Sequence, residues 1–293
     1  MPWLQLILES DPAHAEQLSE ALTMIGASAV TLQDSADQPL YEPPPGETPL
    51  WSATRVVGLF DADTNTDALI RQLSTALTTT ALPPWRISPL EDKDWEREWM
   101  KNFHPMRFGQ QLWICPSWQA PPDPQATNIL LDPGLAFGTG THPTTALCLR
   151  WLDEHGADYN EVIDYGCGSG VLAVAAAKLG AKHVWAVDND PQALLATRDN
   201  AAKNTVAEII EAVIPESLPR VQTSLLIANI LAQPLLDLAD NFAQYVIPGG
   251  HIILSGILKH QAEMLVDHYQ TWFKMEPLVL QDEWVRLAGK RLS

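Results

Sequence analysis

An α/β chain of two domains is predicted by three features of the sequence. Residues 1–90 run in the order β-α-β-β-α-β. Residues 161–190, EVIDYGCGSGVLAVAAAKLGAKHVWAVDND, read as strand, glycine turn, helix, strand and acid. Short apolar strands and helices then continue to alternate. The first order is the ferredoxin-like pattern. The alternation behind it calls for an open, mostly parallel, Rossmann-like sheet with helices on both faces.

The front elements follow from periodicity. Residues 2–9, PWLQLILE, alternate as a strand. Residues 11–25 place Leu18, Leu22 and Ile25 on one side of a helix. Strands are expected at 28–33, 52–60 and 84–89. Between the first two of these, residues 36–50 carry a proline-rich loop that cannot be regular structure. A helix over about 65–79 would be capped by Asp61 or Asp63. This domain holds no catalytic cluster, so its expected role is to position a partner or simply to support the fold.

Residues 91–118 read as a connector packing on the second domain, which spans 119–293. Residues 92–102 suggest a charged amphipathic helix, and 106–115 pass through a turn at Gly109 into a strand. Trp95, Trp99, Trp113 and Trp118 read as boundary core, with a substrate surface as the alternative. Ile129 to Leu131 form a strand stub ending in Asp132. A glycine- and threonine-rich loop follows over 133–143, and Thr144 or Thr145 opens a helix. Loops of this composition, just before a nucleoside-binding unit, tend to fold over a ligand. His142 is the one histidine that invites a catalytic role. Beside Pro143 it equally suits a helix start, and it is not assigned as a base.

The central unit defines a ligand. Val162 and Ile163 lead to Asp164, and the glycines at 166, 168 and 170 allow a sharp turn. Leu172, Ala175, Ala176 and Leu179 make a helical stripe closed by Gly180. A dinucleotide fold wants G-x-G-x-x-G, but the third glycine comes one residue early and position 171 is Val171. No Lys-Ser/Thr pair of a phosphate loop is present. Asp188 ends the second strand at the usual distance for a carboxylate that binds ribose hydroxyls. The turn therefore describes a nucleoside pocket without a strong phosphate site, which suits S-adenosylmethionine.

Beyond it, Asp190 and Pro191 start a helix to Asn204, and a strand falls within 206–214. SLLIA at 224–228 is a buried strand presenting Asn229. Asp164, Asp188 and Asn229 all end apolar strands, so they should converge where open parallel sheets bind ligands. Pro234 leads a helix to about 243, and 244–257 give a turn and a fifth strand. A helix over 258–269 follows. Residues 272–279 and 282–288 look like a final hairpin, with Trp284 near the sheet edge.

Composition narrows the class. No run approaches the roughly 18–20 apolar residues of a membrane span, and the first residues make a poor signal peptide. The odd, scattered Cys115, Cys148 and Cys167 suggest a reducing, cytoplasmic setting without disulfides. No His, Cys, Asp or Glu grouping has metal-site spacing. The net charge of −18 disfavours nucleic acid and anionic membrane and favours a lysine-rich protein partner. The same charge also suits a merely soluble surface.

DYGCGSG at 164–170 with AVDND at 186–190 resembles the class I S-adenosylmethionine-dependent methyltransferases. LDPGLAFGTGTHPTT at 131–145 and IANILA at 227–232 resemble the ribosomal protein L11 methyltransferase family, as do EPPPGETPLW at 42–51 and DWEREW at 94–99. The resemblance spans the chain. It implies a class I methyltransferase sheet behind a ferredoxin-like domain that recognises the ribosomal protein. It implies methylation of the α-amino group and lysine ε-amino groups of L11; free L11 as the substrate and a monomeric enzyme are expected. Thr145, Gly166, Asp188 and Asn229 match cofactor-contacting positions, Asp164 and Gly168 belong to the same turn, and Phe137 and Gly138 lie in the covering loop. Asn229 opens a relaxed form of the N-P-P-Y box of amino methyltransferases and is the expected catalytic residue.

Overall fold

The computed structural model describes residues 3–36, 38, 48–79, 81–90, 103–132 and 142–293. The expected helix at 92–102, Trp95 and Trp99, most of the proline-rich loop, and Phe137 and Gly138 lie outside them. The chain divides into two compact units, Met1–Met100 and Lys101–Ser293.

The first unit contains β1 (Trp3–Ser10), α1 (Pro12–Met24), β2 (Ala29–Asp34), β3 (Thr54–Asp61), α2 (Thr66–Ala76) and β4 (Trp85–Leu90). Its sheet has the order β2-β3-β1-β4 and is antiparallel throughout, which is ferredoxin-like. Alternation along the strands turns Leu6, Leu8, Val56 and Phe60 into one core with Leu18, Leu22, Leu69 and Leu73 of the helices. Asp11 caps α1 by accepting from the His14 amide at 3.0 Å. The cap of α2 is neither Asp61 nor Asp63. Asn65 fills it, accepting from the Ala68 amide at 2.9 Å, because the helix begins at Thr66 and Asp61 ends β3.

The second unit opens with β5 (Met106–Phe108), β6 (Leu112–Cys115) and β7 (Thr127–Leu130), a three-stranded sheet in that order. The turn at Gly109 docks on α3 (Pro143–His155), where Asp153 accepts from the amides of Gln111 and Leu112 at 2.9 and 2.7 Å. Of the two described tryptophans of the connector, Trp113 has the partial burial expected at a boundary and Trp118 does not. Trp113 is half-buried beside Arg107, and Trp118 is exposed with one edge on Phe103.

The main sheet follows from β8 (Glu161–Tyr165), α4 (Val171–Leu179), β9 (His183–Val187), α5 (Pro191–Lys203), β10 (Ile210–Val213) and β11 (Thr223–Asn229). Then come α6 (Ala232–Asp237), α7 (Ala239–Tyr245), β12 (Val246–Leu258), α8 (Ala262–Tyr269), β13 (Phe273–Met275), β14 (Val279–Gln281) and β15 (Trp284–Arg291). The expected single helix to about 243 is two, broken at Leu238, where ψ opens to 0°. The strand order is β10-β9-β8-β11-β12-β15-β13, with β14 also on β15. That is the Rossmann order with an antiparallel strand inserted beside the fifth.

Trp284 lies near the sheet edge as expected, one strand in from it. It pairs with Leu258 on one side and Gln281 on the other, and meets the His142 ring at 4.8 Å. Helix α4 differs from its predicted stripe. Every residue from Val171 to Ala177 is buried, because α4 lies between the sheet, α3, α5 and β7. Alanines at 173 and 175–177 make that close approach sterically cheap.

Candidate active site

Three parallel strands, β9, β8 and β11, end side by side. The turn after β8 begins with Gly166, whose amide donates to the Val187 carbonyl of β9 at 2.7 Å. Gly166, Gly168 and Gly170 all have positive φ, at 76°, 53° and 75°. A side chain at 166 or 170 is also excluded by space. A Cβ on Gly166 would lie 2.2 Å from Ile230 Cγ2, and one on Gly170 2.7 Å from the Thr197 side chain. The turn thus presents bare backbone, the condition for close approach of a ligand.

Asp188 sits half-buried just past β9. Its Oδ2 accepts from the Gly168 amide at 2.9 Å and its Oδ1 from the Asp190 amide at 3.0 Å. Each oxygen uses one acceptor site and keeps another, so the carboxylate is oriented and can still receive two hydroxyls.

Asp164 is enclosed, 1% exposed, rather than standing at an open strand end. Its Oδ2 accepts from the Ala173 amide of α4 at 2.9 Å, while Oδ1 has no partner among the described residues. Burial pushes its carboxyl up to about 7; the Asp188 charge adds to this and the Ala173 amide opposes it.

Asn229 ends β11. Its Nδ2 donates to Thr145 Oγ1 at 3.3 Å, which ties the strand end to the first turn of α3. With the amide nitrogen so engaged, Oδ1 is the acceptor left to the site. His142 caps α3: its Nδ1 accepts from the Thr144 amide at 3.4 Å and lies 2.7 Å from the Thr144 hydroxyl. Burial holds this ring below the ordinary histidine pKa, so it stays a neutral acceptor, as a cap requires.

The structure thus brings Gly166, Gly168, Asp164 and Asp188 into one turn, and joins Thr145 to Asn229. Residues not singled out in the sequence brace them. Thr197 of α5 donates to the Gly168 carbonyl at 3.1 Å and touches Cys167 Sγ at 3.3 Å. Asn200 donates to the Ser169 carbonyl at 2.8 Å. Asn204 bonds both the amide and the carbonyl of Leu130, at 2.7 and 2.8 Å. Beside it, Lys203 meets Asp132 at 2.7 Å. The signal was a polar stripe at 197, 200 and 204 in an alanine-rich helix. Among the described residues no His, Cys, Asp and Glu group could hold a metal. No described helix is long and apolar enough to cross a membrane.

The residues fit a nucleoside bearing an amino-acid tail: a side-chain-free turn, an oriented carboxylate with spare acceptors, and an orphaned buried carboxyl oxygen. With the sheet order, they define a class I methyltransferase, which uses S-adenosylmethionine. The comparisons carry this further. The family model for ribosomal protein L11 methyltransferase (PrmA) matches residues 2–292, and the chain belongs to that family. The ribosomal protein L11 methyltransferase of Pseudoalteromonas atlantica is 53% identical over 99% of this chain and 100% of its own. That of Marinobacter nauticus is 52% identical over 99% of both chains. The crystal structure of ribosomal protein L11 methylase from Lactobacillus delbrueckii subsp. bulgaricus is 33% identical, with a TM-score of 0.59. The match covers 65% of this chain and all of that one.

Proposed function

We propose that this protein transfers methyl groups from S-adenosylmethionine to ribosomal protein L11 free of the ribosome, at its α-amino group and lysine ε-amino groups. It acts as a cytoplasmic monomer without nucleic acid. The observation that carries the reading is the Asn229 amide, whose nitrogen is engaged by Thr145, which leaves its oxygen as the acceptor offered to an amine. The net charge of −18 supports a basic protein substrate.

S-adenosylmethionine supplies a methyl group already activated by the adjoining sulfonium. The chain's task is then alignment. Asp188 holds the ribose hydroxyls, and the Gly166 and Gly168 backbone admits the amino-acid end. Asp164 helps to orient that end through backbone contacts or water, and Phe137 and Gly138 are assigned to cofactor binding. Asn229 Oδ1 accepts the incoming N–H and points the amine lone pair at the methyl carbon. A lysine with a pKa of about 10.4 must first lose its proton to solvent. Desolvation in an apolar mouth favours the neutral amine. Residues 1–90 recognise the protein, residues 91–118 connect, and residues 119–293 carry the chemistry.

Incubating purified L11 with the enzyme and S-adenosylmethionine tests this by mass spectrometry. Mass steps of added methyls on N-terminal and lysine peptides are expected. A protein lacking residues 1–90 should bind the cofactor and leave L11 unmodified. Full methylation by it would remove the recognition role.

A further inference from the structure

We infer that Ile230 is a positioning residue that sets the Asn229 amide against the cofactor turn. The inference rests on the reading above, in which Asn229 receives the amine.

The geometry lies where the three central strands end. In register, Ala228 of β11 stands opposite Tyr165 of β8, and Asn229 opposite Ser255 of β12. The next residue on each flanking strand is a glycine with positive φ, Gly166 at 76° and Gly256 at 83°. Ile230 fills the space both leave. A Cβ on Gly166 would lie 2.2 Å from Ile230 Cγ2. A Cβ on Gly256 would lie 2.3 Å from the Ile230 carbonyl oxygen and 2.8 Å from its carbonyl carbon. One glycine thus receives the branch methyl of Ile230, the other its peptide.

Two side-chain-free sites on opposite sides of one residue are hard to explain by burial alone, since Ile230 is only half-buried. They do explain how a strand end can be fixed against a turn. Gly166 is bonded to β9 through Val187, so the turn cannot yield away from the methyl. The peptide of Ile230 rests on Gly256 of β12, so it cannot yield the other way. Asn229, one residue back, inherits that position. The device depends on a β-branched side chain, because the methyl facing Gly166 is the γ2 carbon.

This gives a test by shape at nearly constant apolarity. Ile230→Val keeps Cγ2, and Ile230→Leu keeps the volume but loses the branch. On L11, the Val protein should keep kcat within about twofold of wild type, and the Leu protein should lose about 10- to 100-fold. The cofactor Kd by calorimetry and the Tm should stay close to wild type in both. A second readout needs no substrate. Adding S-adenosylhomocysteine should shift the Asn229 side-chain amide resonance in the wild-type and Val proteins, and by clearly less in Leu. Equal kcat in Leu and Val, or a Leu loss matched by lost Tm or cofactor binding, overturns the inference. If the wild type leaves L11 unmethylated, the substrate reading falls, and the amide resonance alone decides the role of Ile230.

Discussion

The two units treat polar groups in opposite ways. Of the ten buried polar or charged side chains among the described residues, Thr54 alone lies in the first unit. The others lie in the second, where Thr144, Thr145, Asp164, Ser169 and Thr197 belong to the glycine turn, the groups that meet it or the first turn of α3. Burying such groups costs stability unless each finds a partner. The first unit avoids that cost with an apolar core and solvent-facing caps. The second accepts it at one end of its sheet, where a ligand has to be held and aligned. A sheet built only for packing has no need of an enclosed carboxyl with a free oxygen.

The contrast can be broken by substitution. The largest effect is expected at Asn229→Ala, which should lower kcat on L11 by about 100-fold, with a smaller change in cofactor Kd. A larger loss in affinity than in kcat would make Asn229 a cofactor ligand first. Asp188→Ala should weaken S-adenosylmethionine binding by about 10- to 100-fold, the worth of hydrogen bonds to a charged group.

Asp164 sharpens the comparison through pH. Its carboxyl is raised from 3.8 to about 7, chiefly by burial, so the folded chain holds a proton that the unfolded chain releases. That contribution to stability is complete below the unfolded pKa and is lost as pH rises through the folded one. Urea unfolding at about pH 5 and about pH 8 should show wild-type stability falling more steeply than that of Asp164→Asn. Equal falls would mean Asp164 is ionised at both values. Smaller still, Thr197→Val removes the bond to the Gly168 carbonyl and should cost about 1 kcal/mol in urea unfolding. In the first unit, Thr23→Ala removes only an exposed bond to the Ser19 carbonyl and should stay within about 0.5 kcal/mol.

Local signals were readable, and long-range ones were not. The turn at 166–170, the Asp190-Pro191 start of α5 and the apolar strands around 162, 184 and 225 are each set by neighbours in sequence, and all stand in the structure. The cap of α2 fell to Asn65 because two acids and an amide competed within five residues, and the start of the helix decided among them. The insertion of β15 between β12 and β13 depends on pairing across the sheet, which periodicity does not carry. The brace from α5 was visible only as polar residues at helical spacing, with nothing local to say what they met. The fit of Ile230 between Gly166 and Gly256 needs three strands at once.

A crystal structure with S-adenosylhomocysteine tests the account most directly. The ribose hydroxyls should lie within hydrogen-bonding distance of the Asp188 carboxylate, with the Asn229 oxygen turned toward the sulfur. A nucleoside bound elsewhere, or Asn229 turned away from it, would contradict the account.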